Sequence, residues 1–230
     1  MKEQLYQILN IIALIAYQLP LAIVLYKKLW KDLPIRMFSF YWSLGGLINL
    51  VSSTKWFSSS VVDSCILVFN IIDVPFVVYI FYLNTNVRKL KSIFRVLIPV
   101  YFLIELANGI IRGFTEPAFV SFLGIGVLLV IIVVIIEIFY YFQKLDHTPR
   151  EKAIIFLYLA VLFEYAVYIY YYVYQYILTA DETDKQIIYY GSTLIGIIIA
   201  SIGFLSSHLK KNENNAAPPR EHEVLVKIID

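Results

Sequence analysis

The chain has little charge, one cysteine and three histidines. Charged residues make up 16% of the 230 residues, against ~25% in a soluble domain. One cysteine cannot form an internal disulfide or a cysteine-based zinc site, so Cys65 is read as a small packing residue. The histidines all lie in or beside charged segments, which argues against intramembrane haem. We expect no metal site and no cofactor, and the net charge of +2 is too small to indicate nucleic acid.

Hydrophobic residues are what the chain has in excess. They make up 60% of it, against roughly 45–50% in soluble domains. A membrane-spanning helix needs roughly 20 apolar residues, and the run VLLVIIVVII at 127–136 lacks the alternation of a barrel strand. The sequence predicts an all-α, polytopic membrane protein that forms a seven-transmembrane-helix bundle. The predicted helices cover residues 8–26, 37–53, 62–83, 95–113, 117–142, 150–178 and 186–207.

Local sequence features predict how several helices begin, bend and pack. The segment Thr148-Pro149-Arg150-Glu151 has the pattern of a capping box with proline at the first helical position. Three prolines inside predicted helices each remove a backbone hydrogen bond and favour a kink; they are Pro20, Pro75 and Pro99. The last helix carries a stripe of small residues that predicts close helix packing; they are Ser192, Gly196, Ala200 and Gly203.

The distribution of basic residues predicts the orientation. Fifteen of the 19 lysines and arginines lie in alternate loops, at 27–36, 88–95 and 144–152, and in the C-terminal segment. Basic loops stay cytoplasmic, so we expect the N-terminus outside and the C-terminus cytoplasmic. The expected location is the plasma (inner) membrane.

The chain divides into a transmembrane domain and a tail. Residues 1–208 form the predicted seven-helix domain, and residues 209–230 a short cytoplasmic tail. The tail opens with a polar spacer and ends in a mildly amphipathic segment. It is either a disordered end or a docking segment for a cytoplasmic protein partner.

Three acidic residues fall near the middle of predicted helices, with no lysine or arginine at a comparable depth. They are Asp73, Glu105 and Glu164, and Glu137 lies nearer an inner helix end. Each charged residue at a helix centre costs about 2.5–3.5 kcal/mol on insertion scales. We therefore expect the acids to be protonated, hydrogen-bonded to one another, hydrated or matched to a bound cation.

Other polar residues follow the acids at helical spacing. Either they are interhelical hydrogen-bonding struts or they line a polar cavity at mid-membrane with the acids. Tyrosines there add hydrogen-bond donors and aromatic faces for a cation. The additional candidates for ligand or ion binding are Gln18, Asn70, Asn108, Tyr168 and Tyr171.

These features favour a receptor-like or sensor bundle that binds a small-molecule or cationic ligand within the lipid bilayer. A proton- or cation-coupled transporter of a small solute is the alternative, although it would normally show stronger repeat symmetry. A structural subunit of a membrane complex is a further alternative. Catalytic residues are not predicted, because no serine has a histidine partner at depth.

Overall fold

The computed structural model describes residues 2–54, 56–176, 182–207 and 209, and every regular element in these ranges is helical. A 3-10 turn, Leu29–Lys31, joins the second and third helices. The predicted all-α class is therefore confirmed, whereas the tail prediction lies outside the described residues apart from Leu209. The helices are α1 (Lys2–Ala16), α2 (Leu19–Tyr26), α3 (Leu33–Ser53), α4 (Ser59–Asn84), α5 (Arg88–Arg112), α6 (Glu116–Gln143), α7 (Pro149–Tyr176) and α8 (Glu182–Leu205).

In the part of the chain that the structure describes, six helical segments are long and apolar enough to cross a membrane, which indicates an integral membrane helical bundle. The first of them combines α1 and α2, and α3 is not among the six. The number seven thus stays a prediction. The six segments are Lys2–Tyr26, Ser59–Asn84, Arg88–Arg112, Phe122–Gln143, Pro149–Val173 and Thr183–Leu205.

The first segment is interrupted where the sequence predicts a kink. Helix α1 ends at Ala16, and α2 begins at Leu19 with Pro20 in its first turn. A proline is tolerated there because the first amides of a helix have no intrahelical acceptor. By contrast, α4 and α5 continue through Pro75 and Pro99.

Helix ends differ from the predicted ends by a few residues, with two larger differences. Helix α1 begins at Lys2 rather than at residue 8. Helix α5 begins at Arg88 rather than at residue 95, because its first two turns are basic and lack the apolar pattern that marks a buried span. The capping box is confirmed: the amide of Thr148 donates to Glu151 at 2.9 Å, and the amide of Glu151 donates to Thr148 at 3.2 Å.

Most of the helices pack side by side in a closed ring. In order of contact, α3, α4, α6, α7 and α8 follow one another, α8 contacts α1 and α2, and these return to α3. Helix α5 packs on α4 and α6. Large side chains such as Trp42, Tyr165 and Phe204 are fully buried inside, whereas Leu103 and Ile111 are exposed on the outside. An apolar exterior of this kind is suited to lipid.

Polar contacts identify the two ends of the bundle. Lys2 forms a salt bridge with Asp184 at 2.8 Å, which places the starts of α1 and α8 at one end. At the other end Lys27 donates to two carbonyls at the close of α8, and Asp32 pairs with Arg150. We call this second end the basic end. Helices α2 and α8 therefore end on the same side of the bundle.

The small-residue stripe of α8 packs against α7, as predicted. A Cβ atom on Gly203 would lie 2.9 Å from the backbone oxygen of Ala153 and 3.0 Å from Leu157. Gly196 has ordinary contacts at 3.8 Å with Ala160 and Glu164. The absence of a side chain at Gly203 is what allows the two helices to approach so closely.

Candidate functional site

Three acidic side chains on three helices lie in the interior of the bundle, two of them within electrostatic range of the third. Glu105 on α5 and Glu164 on α7 are buried, and Asp73 on α4 is half-buried. Asp73 interacts electrostatically with both Glu105 and Glu164. The structure thus brings the three predicted acids into one neighbourhood, which we call the acid cluster.

Glu164 is held by two aromatic donors from α3. Its Oε2 atom accepts a hydrogen bond from the Trp42 indole at 3.1 Å and from the Tyr41 hydroxyl at 3.3 Å. Both aromatic side chains are buried, so each polar group needs a partner inside the bundle. This arrangement joins the middle of α3 to the middle of α7.

Asp73 is held by the residue that follows Glu164. The Tyr165 hydroxyl donates to Asp73 Oδ2 at 2.6 Å, which is short for a neutral hydroxyl and typical of a strong carboxyl bond. Because the Tyr165 side chain is fully buried, its hydroxyl needs a partner inside the bundle. Adjacent residues of α7 therefore serve two acids on different helices.

Glu105 is the least satisfied of the three. Its Oε2 atom is buried and has no hydrogen-bond partner among the described residues. Tyr101, one turn earlier on α5, interacts with the carboxyl but donates its hydroxyl proton to the Phe122 carbonyl at 3.1 Å. A buried acceptor without a donor is costly and calls for a proton or a ligand.

A network of tyrosines lies beside the acid cluster. The hydroxyls of Tyr17 and Tyr189 are 3.2 Å apart, and Asn49 donates to both at 3.2 and 3.0 Å. Tyr168 stacks on Tyr189, packs edge-on against Tyr165, and interacts electrostatically with Glu164. We call Tyr17, Asn49, Tyr168 and Tyr189 the tyrosine network.

Three of the remaining predicted residues contact groups other than the acids. Gln18 exchanges hydrogen bonds with Ser43, one of them at 2.7 Å. Asn108 donates to the Ala118 carbonyl at 2.7 Å and so ties α5 to α6. Tyr171 packs against Tyr189 in the tyrosine network. The last, Asn70, is half-buried on α4, one turn before Asp73.

Sequence reasoning missed the α3 contribution. Tyr41 and Trp42 are not predicted as site residues, although they hold Glu164. Asn49 was also missed, although it links α3 to Tyr17 and Tyr189. A usable indication was present, since an indole or phenol in mid-helix carries a donor that must find an acceptor when buried.

Two pockets open away from the acid cluster. An apolar groove of about 410 Å³ lies between α3 and α4, lined by residues such as Leu44 and Cys65. A polar pocket of about 360 Å³ lies at the basic end, lined in part by Glu137 and Asn84. The shared cavity predicted around the three acids therefore stays a prediction. Within the described ranges, no three His, Cys, Asp or Glu residues form a potential metal site.

No protein-family model, curated protein or solved structure matches the chain.

Proposed function

We propose that this chain is a receptor-like membrane sensor that binds a small organic cation at the acid cluster. The observation that carries the proposal is that Asp73 lies within electrostatic range of both Glu105 and Glu164 inside the bundle. These carboxyls interact with one another and with aromatic hydroxyl and indole groups. A bound cation would supply the missing counter-charge.

Like charges in an apolar interior cannot all be ionised without compensation. A monovalent cation offsets part of this repulsion, and the buried Oε2 atom of Glu105 has no donor among the described residues. Aromatic faces next to carboxylates are a recurring environment for organic cations. Tyr41, Trp42 and Tyr165 already touch the acids and supply such faces.

The contacts of α3 and α7 suggest how binding becomes a change in shape. A cation that competes for the Glu164 carboxyl would loosen the bonds from Tyr41 and Trp42, which join the middles of the two helices. The same helices are joined at the basic end by the Asp32–Arg150 pair. Asp32 also caps α3 by accepting from the Ile35 amide at 3.4 Å. A shift in the interior would therefore be transmitted to the basic end.

The proposal includes seven spans, with α3 as the second of them. At 21 residues α3 is roughly 31 Å long, and the hydrocarbon core is ~30 Å thick. Its Asp32 end meets Arg150 at the basic end, whereas Asn49 reaches Tyr17 and Tyr189 about 25 Å further along the helix. The positive-inside bias then places the basic end in the cytoplasm.

The test uses tetramethylammonium as the probe and thermal unfolding of the purified protein in nanodiscs as the measurement. We expect tetramethylammonium to raise the unfolding temperature more than sodium at equal ionic strength, because a ligand of the native state stabilises it. Asp73→Asn keeps an acceptor for Tyr165 but removes the charge, and should abolish most of the shift. Asp63→Asn is the matched control, since Asp63 is exposed on the same helix.

An identical response in wild type and Asp73→Asn would contradict a cation site at the acid cluster, as would a response no larger than that to sodium. A measurement of tetramethylammonium flux distinguishes a sensor from a transporter. In proteoliposomes the sensor should bind tetramethylammonium without carrying it across. Uptake that exceeds that of empty liposomes and is lost in Asp73→Asn would favour the transporter instead.

A further inference from the structure

The polar pocket at the basic end is separate from the acid cluster. It lies between the end of α4, the end of α6 and the start of α7, and its volume is about 360 Å³. That volume is within the range of sites that hold small molecules, roughly 300–1,000 Å³. Its lining includes Asn84, Glu137 and Tyr158.

Two acceptors in this pocket have no donor among the described residues. Glu137 is 6% exposed, and its Oε1 atom is buried without a hydrogen-bond partner. The Oδ1 atom of Asn84 is buried and unpartnered in the same way. The amide nitrogen of Asn84 donates to the Ile80 carbonyl at 2.9 Å, which fixes the orientation of the side chain.

The positive charges that line the pocket are already paired. Lys144 donates to Glu151 at 2.7 Å, and Arg150 pairs with Asp32 outside the pocket. Glu137 interacts with the Thr85 hydroxyl and electrostatically with Lys144. Its Oε1 atom nevertheless has no donor among the described residues. Within the described residues, what these two oxygens lack is therefore a donor.

We propose that this pocket binds a small primary ammonium ion, with Glu137 and Asn84 accepting its N–H groups. A primary ammonium carries three donors on one charge, enough to serve both unpartnered oxygens. Tyr140 and Tyr158 line the same pocket and supply aromatic faces for the cation. The site is independent of the acid cluster and does not rest on the function proposed for it.

Methylammonium and tetramethylammonium together test the assignment, since they carry the same charge and only the first has N–H donors. We expect methylammonium to raise the unfolding temperature of wild type and of Asp73→Asn. Glu137→Gln should weaken the apparent affinity about tenfold or more, because a charge-assisted hydrogen bond becomes a neutral one. Asn84→Ala should weaken it as well, and provides a second variant if Glu137→Gln does not fold. Asp146→Asn is the control, because Asp146 is exposed in the α6–α7 loop.

The proposal is overturned if methylammonium has no effect on wild type. It is also overturned if the effect is equal in wild type, Glu137→Gln and Asn84→Ala, or if tetramethylammonium competes equally well for the pocket. An effect lost in Asp73→Asn but kept in Glu137→Gln would assign methylammonium to the acid cluster and remove this second site. Failure of tetramethylammonium at the acid cluster, with a methylammonium effect that depends on Glu137, would remove only the proposed function.

Discussion

Replacement of Gly203 by alanine tests a close contact between α7 and α8. The added Cβ atom would lie 2.9 Å from the Ala153 backbone oxygen, 3.0 Å from Leu157 and 3.1 Å from Phe156. The first neighbour is backbone on a second helix and cannot rotate away, so α7 and α8 must separate slightly. Gly191→Ala is the matched control on the same helix, because a Cβ atom there meets nothing within 4 Å.

The magnitude follows from two opposed terms. Alanine favours a helix over glycine by about 1 kcal/mol, and this gain is common to both variants. Overpacking of a close contact costs roughly 1–3 kcal/mol, and only Gly203→Ala incurs this cost. We therefore expect Gly191→Ala to be neutral or slightly stabilising, and Gly203→Ala to be less stable than Gly191→Ala by roughly 1–3 kcal/mol.

Reversible unfolding in mixed detergent and sodium dodecyl sulfate micelles measures the difference. Tryptophan fluorescence is a suitable probe, because Trp42 packs edge-on against Phe204, the neighbour of Gly203, at 6.0 Å between ring centroids. Equal free energies of unfolding for the two variants would refute the reasoning, because they would mean that α7 does not lie close to α8 at this position.

Three further predictions follow from the fold and the site. Glu164→Gln keeps an acceptor for Trp42 and should leave the free energy of unfolding nearly unchanged in the same micelles. Glu164→Leu should lower that free energy by about 1 kcal/mol. An equal loss of unfolding free energy in both variants would contradict this prediction. Truncation after Lys211 should leave the unfolding temperature unchanged, and a loss of folding would show that the tail is structural. Reporter fusions at residues 55, 91, 144 and 215 test the orientation. The fusion at residue 55 should report outside and the other three inside, and an external signal at residue 215 would contradict the orientation.

Features governed by local chemistry could be predicted from the sequence. The capping box at Thr148 depends on residues three apart, and it forms as expected. The break before Pro20 likewise follows from the missing amide of proline. The start of α5 was predicted seven residues late, because hydrophobicity marks the apolar span of a helix and not its polar first turns.

The grouping of the acids could be inferred only in part. Depth in a span can be counted from sequence, and it suggests that Asp73 and Glu164 lie at a similar level. Which helices are neighbours is set by packing of whole helix faces, and a single sequence does not reveal it. The roles of Asn108 and Gln18 depend on the same information, and both proved to form hydrogen bonds away from the acids.

The pocket at the basic end was missed for a different reason. Glu137 near an inner helix end looks like an ordinary interfacial residue, since such side chains can extend toward water. Only the structure shows that its carboxyl is buried with an unpartnered oxygen, in the same pocket as Asn84. Residues 53 positions apart in the chain cannot be paired by any spacing rule.

Helix α3 combines a lower hydropathy than the six candidate spans with polar contacts in the interior of the bundle. Its buried side chains Tyr41 and Trp42 serve Glu164, and Asn49 serves the tyrosine network. Each of these residues makes α3 less apolar, which leaves it outside the set of helices with a clear spanning composition. In a membrane interior a polar side chain is costly unless it has a partner, and here the partners lie on α7, on α8 and just after the end of α1. The low apolarity of α3 is therefore what an interior helix at a polar site should show, and an experiment that places α3 on the membrane surface would remove the aromatic donors from the proposed site.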